Sequence, residues 1–384
     1  MYELLWLLLP VAAASGWYAA RRSEAGSGRR LTPDYFRGLH YLLNDQPDRA
    51  IEVFIKVLEI DEETAETQLA LGNLYRRRGE VDRAIRLHQN LVARPALTDD
   101  LRLEAHLELA QDYLSAGVLD RAEDIYRDLV GAKSHRVQAL RHLLDIYEQE
   151  KDWEQARTTA MELEGATGSE QGAVISQYLC ERALQALSVG RAEHALELLR
   201  GARDAHWACA RASLHEGDIL SSRGDLDSAL AAYRRIEEQD ADYLPEVIGR
   251  IQKCYEGLGR REAAHGYLKR VLDRYGGMTV MLALAEMIRE ERGNSAAIHF
   301  MLDALAKRPT VRGFDRLLEF ASDTAQADVP DHFEAMKGLL AQLMNDRPVY
   351  QCRHCGFAAR SLHWQCPGCK HWNTVRPVRG VVGE

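Results

Sequence analysis

The order of apolar and polar residues divides the chain into three parts. Residues 4–20 form a run of seventeen uncharged residues, LLWLLLPVAAASGWYAA. From residue 33 to residue 345 a different pattern recurs, in which a polar turn is followed by an apolar segment of helical character. Beyond residue 345 this recurrence stops, and four cysteines fall within residues 352–369. The pattern therefore predicts an apolar helix, a long helical array and a small cysteine-rich segment.

The first apolar run has the length of a membrane-spanning helix. As an α-helix it would extend roughly 26 Å, close to the thickness of a bilayer's hydrocarbon core. Trp6 lies near one end of the run, and Trp17 and Tyr18 lie near the other, where aromatic side chains favour the membrane–water interface. We predict a transmembrane anchor at residues 1–20 and a flexible cytoplasmic linker at residues 21–32.

The charges that flank this run predict its orientation. Only Glu3 precedes the run, whereas four arginines follow it: Arg21, Arg22, Arg29 and Arg30. Basic residues stay on the cytoplasmic side of a membrane, so the main body of the protein would lie in the cytoplasm. A cleaved signal peptide is the alternative, but such a peptide carries its basic residues before the apolar run.

The middle of the chain contains one block repeated about eight times. Each block has a small or polar turn residue, an alanine five positions later, and then an apolar helix. The separations between successive alanines are 34, 38, 34, 39, 34, 35 and 33 residues. The aligned alanines are Ala50, Ala84, Ala122, Ala156, Ala195, Ala229, Ala264 and Ala297.

This period resembles that of the tetratricopeptide repeat, whose unit is a pair of antiparallel helices. The second copy matches the family spacing best, with Leu71, Gly72, Tyr75, Gly79 and Ala84. No single unit can bury its apolar face alone, so the units must stack on one another. We predict an all-α superhelix of about eight repeats over residues 33–345, with a groove suited to peptides or other proteins.

Most of the aligned residues are predicted to be packing residues. The alanines let helices approach closely, and a tyrosine fills the gap between neighbours at positions 41, 75, 113, 147 and 255. The two longer separations indicate insertions of four or five residues near residues 94–100 and 164–172. These features define a fold and identify no partner.

The charge is distributed unevenly along the chain. The net charge is −9, with +2 in residues 1–30 and +5 in residues 347–384, which leaves −16 for the repeat region. An acidic body argues against nucleic-acid binding. Five acidic residues of the repeats could form a surface for basic partners or merely solvated helix faces: Glu52, Asp82, Glu104, Glu108 and Asp112.

The sequence offers no catalytic constellation. It contains no glycine-rich phosphate loop, no GxSxG and no HExxH motif. Cys180, Cys209 and Cys254 occur singly within helical repeats, where cysteine usually serves as a small buried apolar residue. We therefore predict that the protein is not an enzyme.

The cysteines near the C-terminus carry the one strong chemical signal. Cys352 and Cys355 form one CxxC pair, and Cys366 and Cys369 form a second after ten intervening residues. Two such turns place four thiolates around one metal ion in a tetrahedron. We predict a metal-binding module at residues 348–376, followed by a tail at residues 377–384. Three aromatic residues would form its small core: Phe357, Trp364 and Trp372.

The halves CRHCGF and CPGC resemble the metal-binding knuckles of rubredoxins and equally those of zinc ribbons. The module departs from a full rubredoxin in its short segment between the knuckles, and in Lys370 and His371, where a rubredoxin usually has glycine. Four sulfur ligands suit iron or zinc. Several basic residues surround the knuckles, so we predict that the module docks on the acidic repeats through some of Arg353, Arg360, Lys370, Arg376 and Arg379.

The order of anchor, repeats and four-cysteine module resembles the lipopolysaccharide assembly protein B family of Gram-negative bacteria over essentially the whole chain. The resemblance implies a regulator of lipopolysaccharide synthesis in the inner membrane, with its repeats and module on the cytoplasmic side. It implies an adaptor that helps a membrane-anchored AAA+ metalloprotease degrade the deacetylase committing precursors to lipid A. It further implies contact with an inner-membrane protein that senses lipopolysaccharide, and one iron ion at the four cysteines, with zinc as the alternative.

The sequence leaves two other classes of function open. One is an electron-transfer protein whose repeats form a scaffold for a redox partner. The other is a general membrane-tethered assembly scaffold unrelated to proteolysis. The sequence also leaves open a homodimer.

Overall fold

The computed structural model describes residues 33–44, 46, 49–54, 65–95, 97–322, 336, 338–340, 347–380 and 383. The predicted anchor at residues 1–20 and linker at residues 21–32 lie outside this set. Among the described residues, none of the helices combines the length and the apolar character needed to cross a membrane.

The chain divides into two compact units, Met1–Leu143 and Leu144–Glu384. The named helices of the first unit are α1 (Pro33–Leu43), α2 (Ala65–Arg77), α3 (Val81–Val92), α4 (Asp99–Ser115) and α5 (Leu119–Val130). Residues 49–54 are also helical. Helix α6 (Arg136–Glu150) begins in the first unit and ends in the second.

The second unit contains ten further named helices, and its described residues 336 and 338–340 are also helical. The named helices are α7 (Trp153–Thr167), α8 (Gly172–Ser188), α9 (Ala192–Ala205), α10 (Ala210–Ser222), α11 (Leu226–Gln239), α12 (Leu244–Gly257), α13 (Arg261–Tyr275), α14 (Met278–Arg292), α15 (Asn294–Lys307) and α16 (Val311–Ser322). A single 3₁₀ turn, Ala241–Tyr243, precedes α12.

The aligned alanines confirm the predicted repeat. All eight lie in the second helix of a pair, and none is more than 3% exposed. An alanine at this position leaves no side chain between the two helices of a repeat, so their backbones pack closely. Tyr147 and Tyr255 are buried as predicted, whereas Tyr41, Tyr75 and Tyr113 are only half-buried.

The two insertions take different forms. The first lies in the six-residue connection between α3 and α4. The second lengthens helices more than the loop: α7 has fifteen residues, α8 has seventeen, and only residues 168–171 connect them. Gly168, in the left-handed conformation at φ 69°, ends α7.

A buried charge network in the first unit rules out both alternatives, a partner surface and a solvated helix face, for two of the five acidic residues. Asp112 is fully buried, accepts a hydrogen bond from Arg76 at 2.7 Å and lies 2.6 Å from Nδ1 of buried His88. Arg76 also pairs with Glu108 at 2.6 Å. Glu108 and Asp112 therefore hold α2, α3 and α4 together through ion pairs and hydrogen bonds within the unit. Glu52, Asp82 and Glu104 are exposed.

Glycine at position 217 is required by close packing, which leads to a stability prediction. A Cβ at Gly217 in α10 would overlap the ring of buried Tyr233 in α11. We expect Gly217→Ala to lower the free energy of unfolding by about 1–3 kcal/mol, because the packed ring cannot move away. A Cβ at Gly249 in α12 would instead meet open space. Gly249→Ala should therefore stabilise the helix by about 0.5–1 kcal/mol. Thermal unfolding of both variants measures these changes in the free energy of unfolding. Equal effects of the two substitutions would contradict the requirement for glycine at position 217.

The C-terminal module forms a three-stranded antiparallel sheet. Its strands are β1 (Tyr350–Cys352), β2 (Ala358–Ala359) and β3 (Val375–Pro377), in the order β2–β1–β3. Strand β3 extends one residue past the predicted end of the module. The protein is thus mostly helical, with the predicted small metal-binding fold at its C-terminal end.

Candidate metal centre

Two similar turns present the four cysteines. In the first, the N–H of Gly356 donates to the carbonyl of Cys352, and in the second, the N–H of Lys370 donates to the carbonyl of Cys366, both at 2.9 Å. The residue after each second cysteine has a positive φ, 78° at Gly356 and 60° at Lys370. Lys370 looked like a departure from the rubredoxin pattern, but it adopts the conformation that glycine adopts in the first turn.

The four sulfur atoms converge on one point. All four Sγ atoms lie within 4.8 Å of one another. The pair Cys352–Cys369 is separated by 3.7 Å and the pair Cys355–Cys366 by 3.6 Å. A tetrahedral metal with bonds of about 2.3 Å to sulfur requires sulfur–sulfur distances of about 3.8 Å. The predicted ligands Cys352, Cys355, Cys366 and Cys369 therefore fit one thiolate-bound ion, and their spacing suits iron and zinc alike.

Neighbouring donors favour the thiolate form of Cys352. Burial raises the pKa of this thiol, but its hydrogen bond with Thr374 and those from the backbone N–H groups of Cys355 and His354 outweigh burial and lower the pKa to about 5. The Thr374 oxygen lies 3.3 Å from the sulfur. Such donors orient a metal-bound thiolate and offset its negative charge.

Two histidines lie beside the cysteines. The rings of His354 and His371 stack with their centroids 3.8 Å apart, and their nitrogens lie within 4.8 Å of the Cys369 sulfur. Nδ1 of His371 is 2.9 Å from the carbonyl oxygen of Cys369. Because Cys369 already belongs to the four-sulfur set, we assign these imidazoles to the surroundings of the same centre.

The structure corrects the predicted core of the module. Its buried cluster consists of Cys352, Cys366 and Val375, with Phe357 packed against them, and Ala359 is buried as well. Trp364 packs instead against the hydrophobic core of the helices, with its ring centroid 4.8 Å from that of Tyr243. Trp372 lies edge-on to Trp153 and Tyr178, at 5.9 and 6.0 Å. Both tryptophans therefore anchor the module to the repeats.

The predicted docking on acidic residues of the repeats is confirmed for three of the five basic residues. Arg353 pairs with Asp242 at 2.7 Å, and Arg379 pairs with the same carboxylate. Arg376 pairs with Asp240. Asp240 precedes the 3₁₀ turn before α12 and Asp242 lies within it, so one short acidic segment pairs with three arginines of the module and its tail.

A buried arginine connects the repeats to both tryptophans. Arg211 in α10 is 3% exposed and pairs with Glu181 at 2.7 Å. Its guanidinium carbon lies 5.6 Å from the ring centroid of Trp364 and 5.9 Å from that of Trp372. A desolvated cation over aromatic rings is worth on the order of 2 kcal/mol. Arg211 thus lies between its own helices and the module.

A carboxylate at the end of α6 accepts three hydrogen bonds at the same interface. Glu148 accepts hydrogen bonds from the hydroxyl of Tyr178 at 2.6 Å, from the indole N–H of Trp372 at 2.9 Å and from the side-chain amide of Gln365 at 2.8 Å. Two of the three donors belong to the module. Sequence reasoning missed Glu148, Arg211 and Tyr243, because nothing in a repeat motif distinguishes them from other helix-surface residues.

Comparisons with known proteins agree with this geometry. A family model described as the rubredoxin metal binding domain matches residues 350–377. Two tetratricopeptide repeat models match residues 69–101, and residues 107–169 and 180–243. Lipopolysaccharide assembly protein B of Escherichia coli (strain K12) is 36% identical over 388 residues, covering 100% of both chains. This chain belongs to the lipopolysaccharide assembly protein B family.

A second relative supports the same assignment. Lipopolysaccharide assembly protein B of Haemophilus influenzae (strain ATCC 51907 / DSM 11121 / KW20 / Rd) is 34% identical over 391 residues, covering 98% of each chain. Both relatives match the chain across the repeats and the four-cysteine module. Family membership supports a role in lipopolysaccharide regulation, as the resemblance in the sequence implied.

Proposed function

We propose that the protein is a non-enzymatic adaptor of the inner membrane that regulates lipopolysaccharide synthesis. In this proposal it brings the deacetylase that commits precursors to lipid A to a membrane-anchored AAA+ metalloprotease, which degrades the deacetylase. An inner-membrane protein that senses lipopolysaccharide adjusts this activity. The repeats and the module lie on the cytoplasmic side, and one iron ion, or alternatively zinc, occupies the four cysteines.

The observation that carries the proposal is the metal module docked on the repeats. The module contacts Glu148 in α6, Arg211 in α10, and Asp240, Asp242 and Tyr243 at the turn before α12. The module therefore holds these repeats in one arrangement, which lowers the entropic cost of presenting a binding surface to a partner. When bound, the metal supplies the cross-link that folds the module; the protein's own residues form the surface.

The anchor has a defined part in this proposal, which leads to a prediction. A membrane tether raises the concentration of the adaptor near a membrane-bound protease. We expect deletion of residues 2–20 to leave the repeats folded but to raise the cellular level of the deacetylase several-fold. Replacement of the same residues by an unrelated single-pass helix of the same orientation should restore the normal level.

Crosslinking in membranes followed by mass spectrometry tests the same proposal directly. Full-length protein at native expression should crosslink to the protease and to the deacetylase, and the deleted form should lose these products. Normal deacetylase levels in cells that contain only the deleted form would contradict the tethering role. Crosslinks to neither protein in the full-length form would overturn the adaptor proposal.

A second function, electron transfer, has one observation in its favour. Cys355 is exposed at the edge of the metal centre, and a redox protein needs such an edge for transfer to a partner. Reversible one-electron reduction of the iron-loaded protein, together with crosslinks to a redox enzyme, would support this function over the adaptor.

A further inference from the structure

A second pair of thiols lies apart from the metal centre. Cys180 in α8 and Cys209, the residue before α10, have their sulfur atoms 3.8 Å apart. Neither residue is more than 1% exposed. The prediction that both cysteines are buried is confirmed, and the structure adds that the two residues, each single in its own repeat, lie side by side. They meet because the first helices of consecutive repeats face one another.

The two thiols have different surroundings. The hydrogen bond between the two sulfurs lowers the pKa of Cys209, although burial opposes this effect. Hydrogen bonds with Ser176 and with the backbone N–H of Ala212, and the nearby positive charge of Arg211, act in the same direction. Burial raises the pKa of Cys180. These surroundings favour deprotonation at Cys209 over deprotonation at Cys180, an order suited to a nucleophile and a resolving thiol.

The pair is close enough to become a disulfide. A disulfide bond is about 2.05 Å long, so the sulfurs need to approach by less than about 2 Å. The connection before α10 reaches the surface, because Trp207, two residues before Cys209, is 57% exposed. A local opening of the short connection at residues 206–209 would admit a small oxidant.

One glutamine links the thiol pair to the docked module. The side-chain amide nitrogen of Gln177 lies 3.6 Å from the Cys209 sulfur, and its oxygen accepts a hydrogen bond from Arg211 at 3.4 Å. Arg211 in turn lies over Trp364 and Trp372. Drawing the Cys209 sulfur toward Cys180 would displace Gln177 and weaken its support of Arg211.

We propose that Cys180 and Cys209 form an oxidation site, where a peroxide converts the two thiols into a disulfide that loosens the module from the repeats. The Cys209 thiolate attacks one peroxide oxygen, the O–O bond breaks, and the products are a sulfenic acid and water after proton uptake. The Cys180 sulfur then attacks the Cys209 sulfur and displaces a second water. In total two thiols and one hydrogen peroxide give one disulfide and two waters, and two electrons pass from sulfur to oxygen.

The test uses the full-length, zinc-loaded protein, because zinc takes no part in redox chemistry. Hydrogen peroxide is added at concentrations that leave the zinc bound, remaining thiols are alkylated, and disulfides are identified by peptide mass spectrometry. We expect a Cys180–Cys209 disulfide to form at least tenfold faster than any disulfide of the buried Cys254, the matched control. Deuterium exchange of residues 347–380 should then rise about tenfold, and a thiol reductant should reverse both changes.

Each result decides the proposal. Failure of the Cys180–Cys209 disulfide to form while zinc stays bound would overturn the oxidation site. A disulfide with unchanged exchange in residues 347–380 would overturn its link to docking. Cys209→Ala should abolish both responses, whereas Cys254→Ala should leave both intact; because the main measurements use the unmodified chain, a variant that fails to fold does not affect them.

Discussion

Cys366→Ser is expected to release the metal and unfold the C-terminal module while the helices stay folded. Binding of a structural metal by four cysteines is worth on the order of 10 kcal/mol. The buried core of the module consists of little more than Cys352, Cys366 and Val375, too few apolar groups to replace that free energy. The repeats have their own core, and contacts in a solenoid run mainly between neighbouring units.

The measurements are metal content, helical circular dichroism and deuterium exchange of residues 347–380 in the purified full-length variant. Metal should fall to a small fraction of one ion per chain, helical content should be nearly unchanged, and the module should exchange as an unfolded chain. Cys254→Ser, which changes a buried cysteine outside the module, is the matched control. Retention of the metal and of protection in the module would contradict the four-sulfur centre.

Glu148→Ala is expected to detach a module that remains folded. Removal of this carboxylate takes the acceptor from the indole N–H of Trp372 and one of two acceptors from the amide of Gln365, which also donates to the carbonyl of Lys370. Hydrogen bonds to a charged group contribute about 1.5–3 kcal/mol each, and two neighbouring bonds are less than additive. We expect docking to weaken by about 3 kcal/mol, which is roughly a hundredfold shift toward the undocked form.

Deuterium exchange at constant metal content separates undocking from unfolding. Exchange should rise around Trp364 and Trp372 and in the 3₁₀ turn Ala241–Tyr243 of the repeats, while the backbone N–H groups within the two cysteine turns stay protected. Glu162→Ala provides the control, because Glu162 is exposed in α7. Equal exchange in both variants would show that Glu148 does not hold the module.

Whether a residue could be predicted depends on how far along the chain its interaction partner lies. The aligned alanines repeat every 33–39 residues, and each packs within its own helical pair, so periodicity alone finds them. The cysteine turns are equally local, since the ligands of each turn are three residues apart. Glu148 and Gln365, by contrast, are separated by 217 residues. No periodic signal connects positions so far apart.

Local pattern was therefore enough for the fold class, the helical repeat and the four metal ligands, because apolar period and ligand spacing act over a few residues. Charge complementarity also predicted that basic residues near the knuckles meet acidic repeats, since opposite net charges attract whatever the exact partners are. Tertiary structure alone decided that Trp364 and Trp372 leave the core of the module for the repeats, that Asp112 is buried beside His88, and that Cys180 meets Cys209. In each case side chains that look independent in the sequence become partners only when helices stack or the module docks, because packing fixes which faces meet and which polar groups lose water.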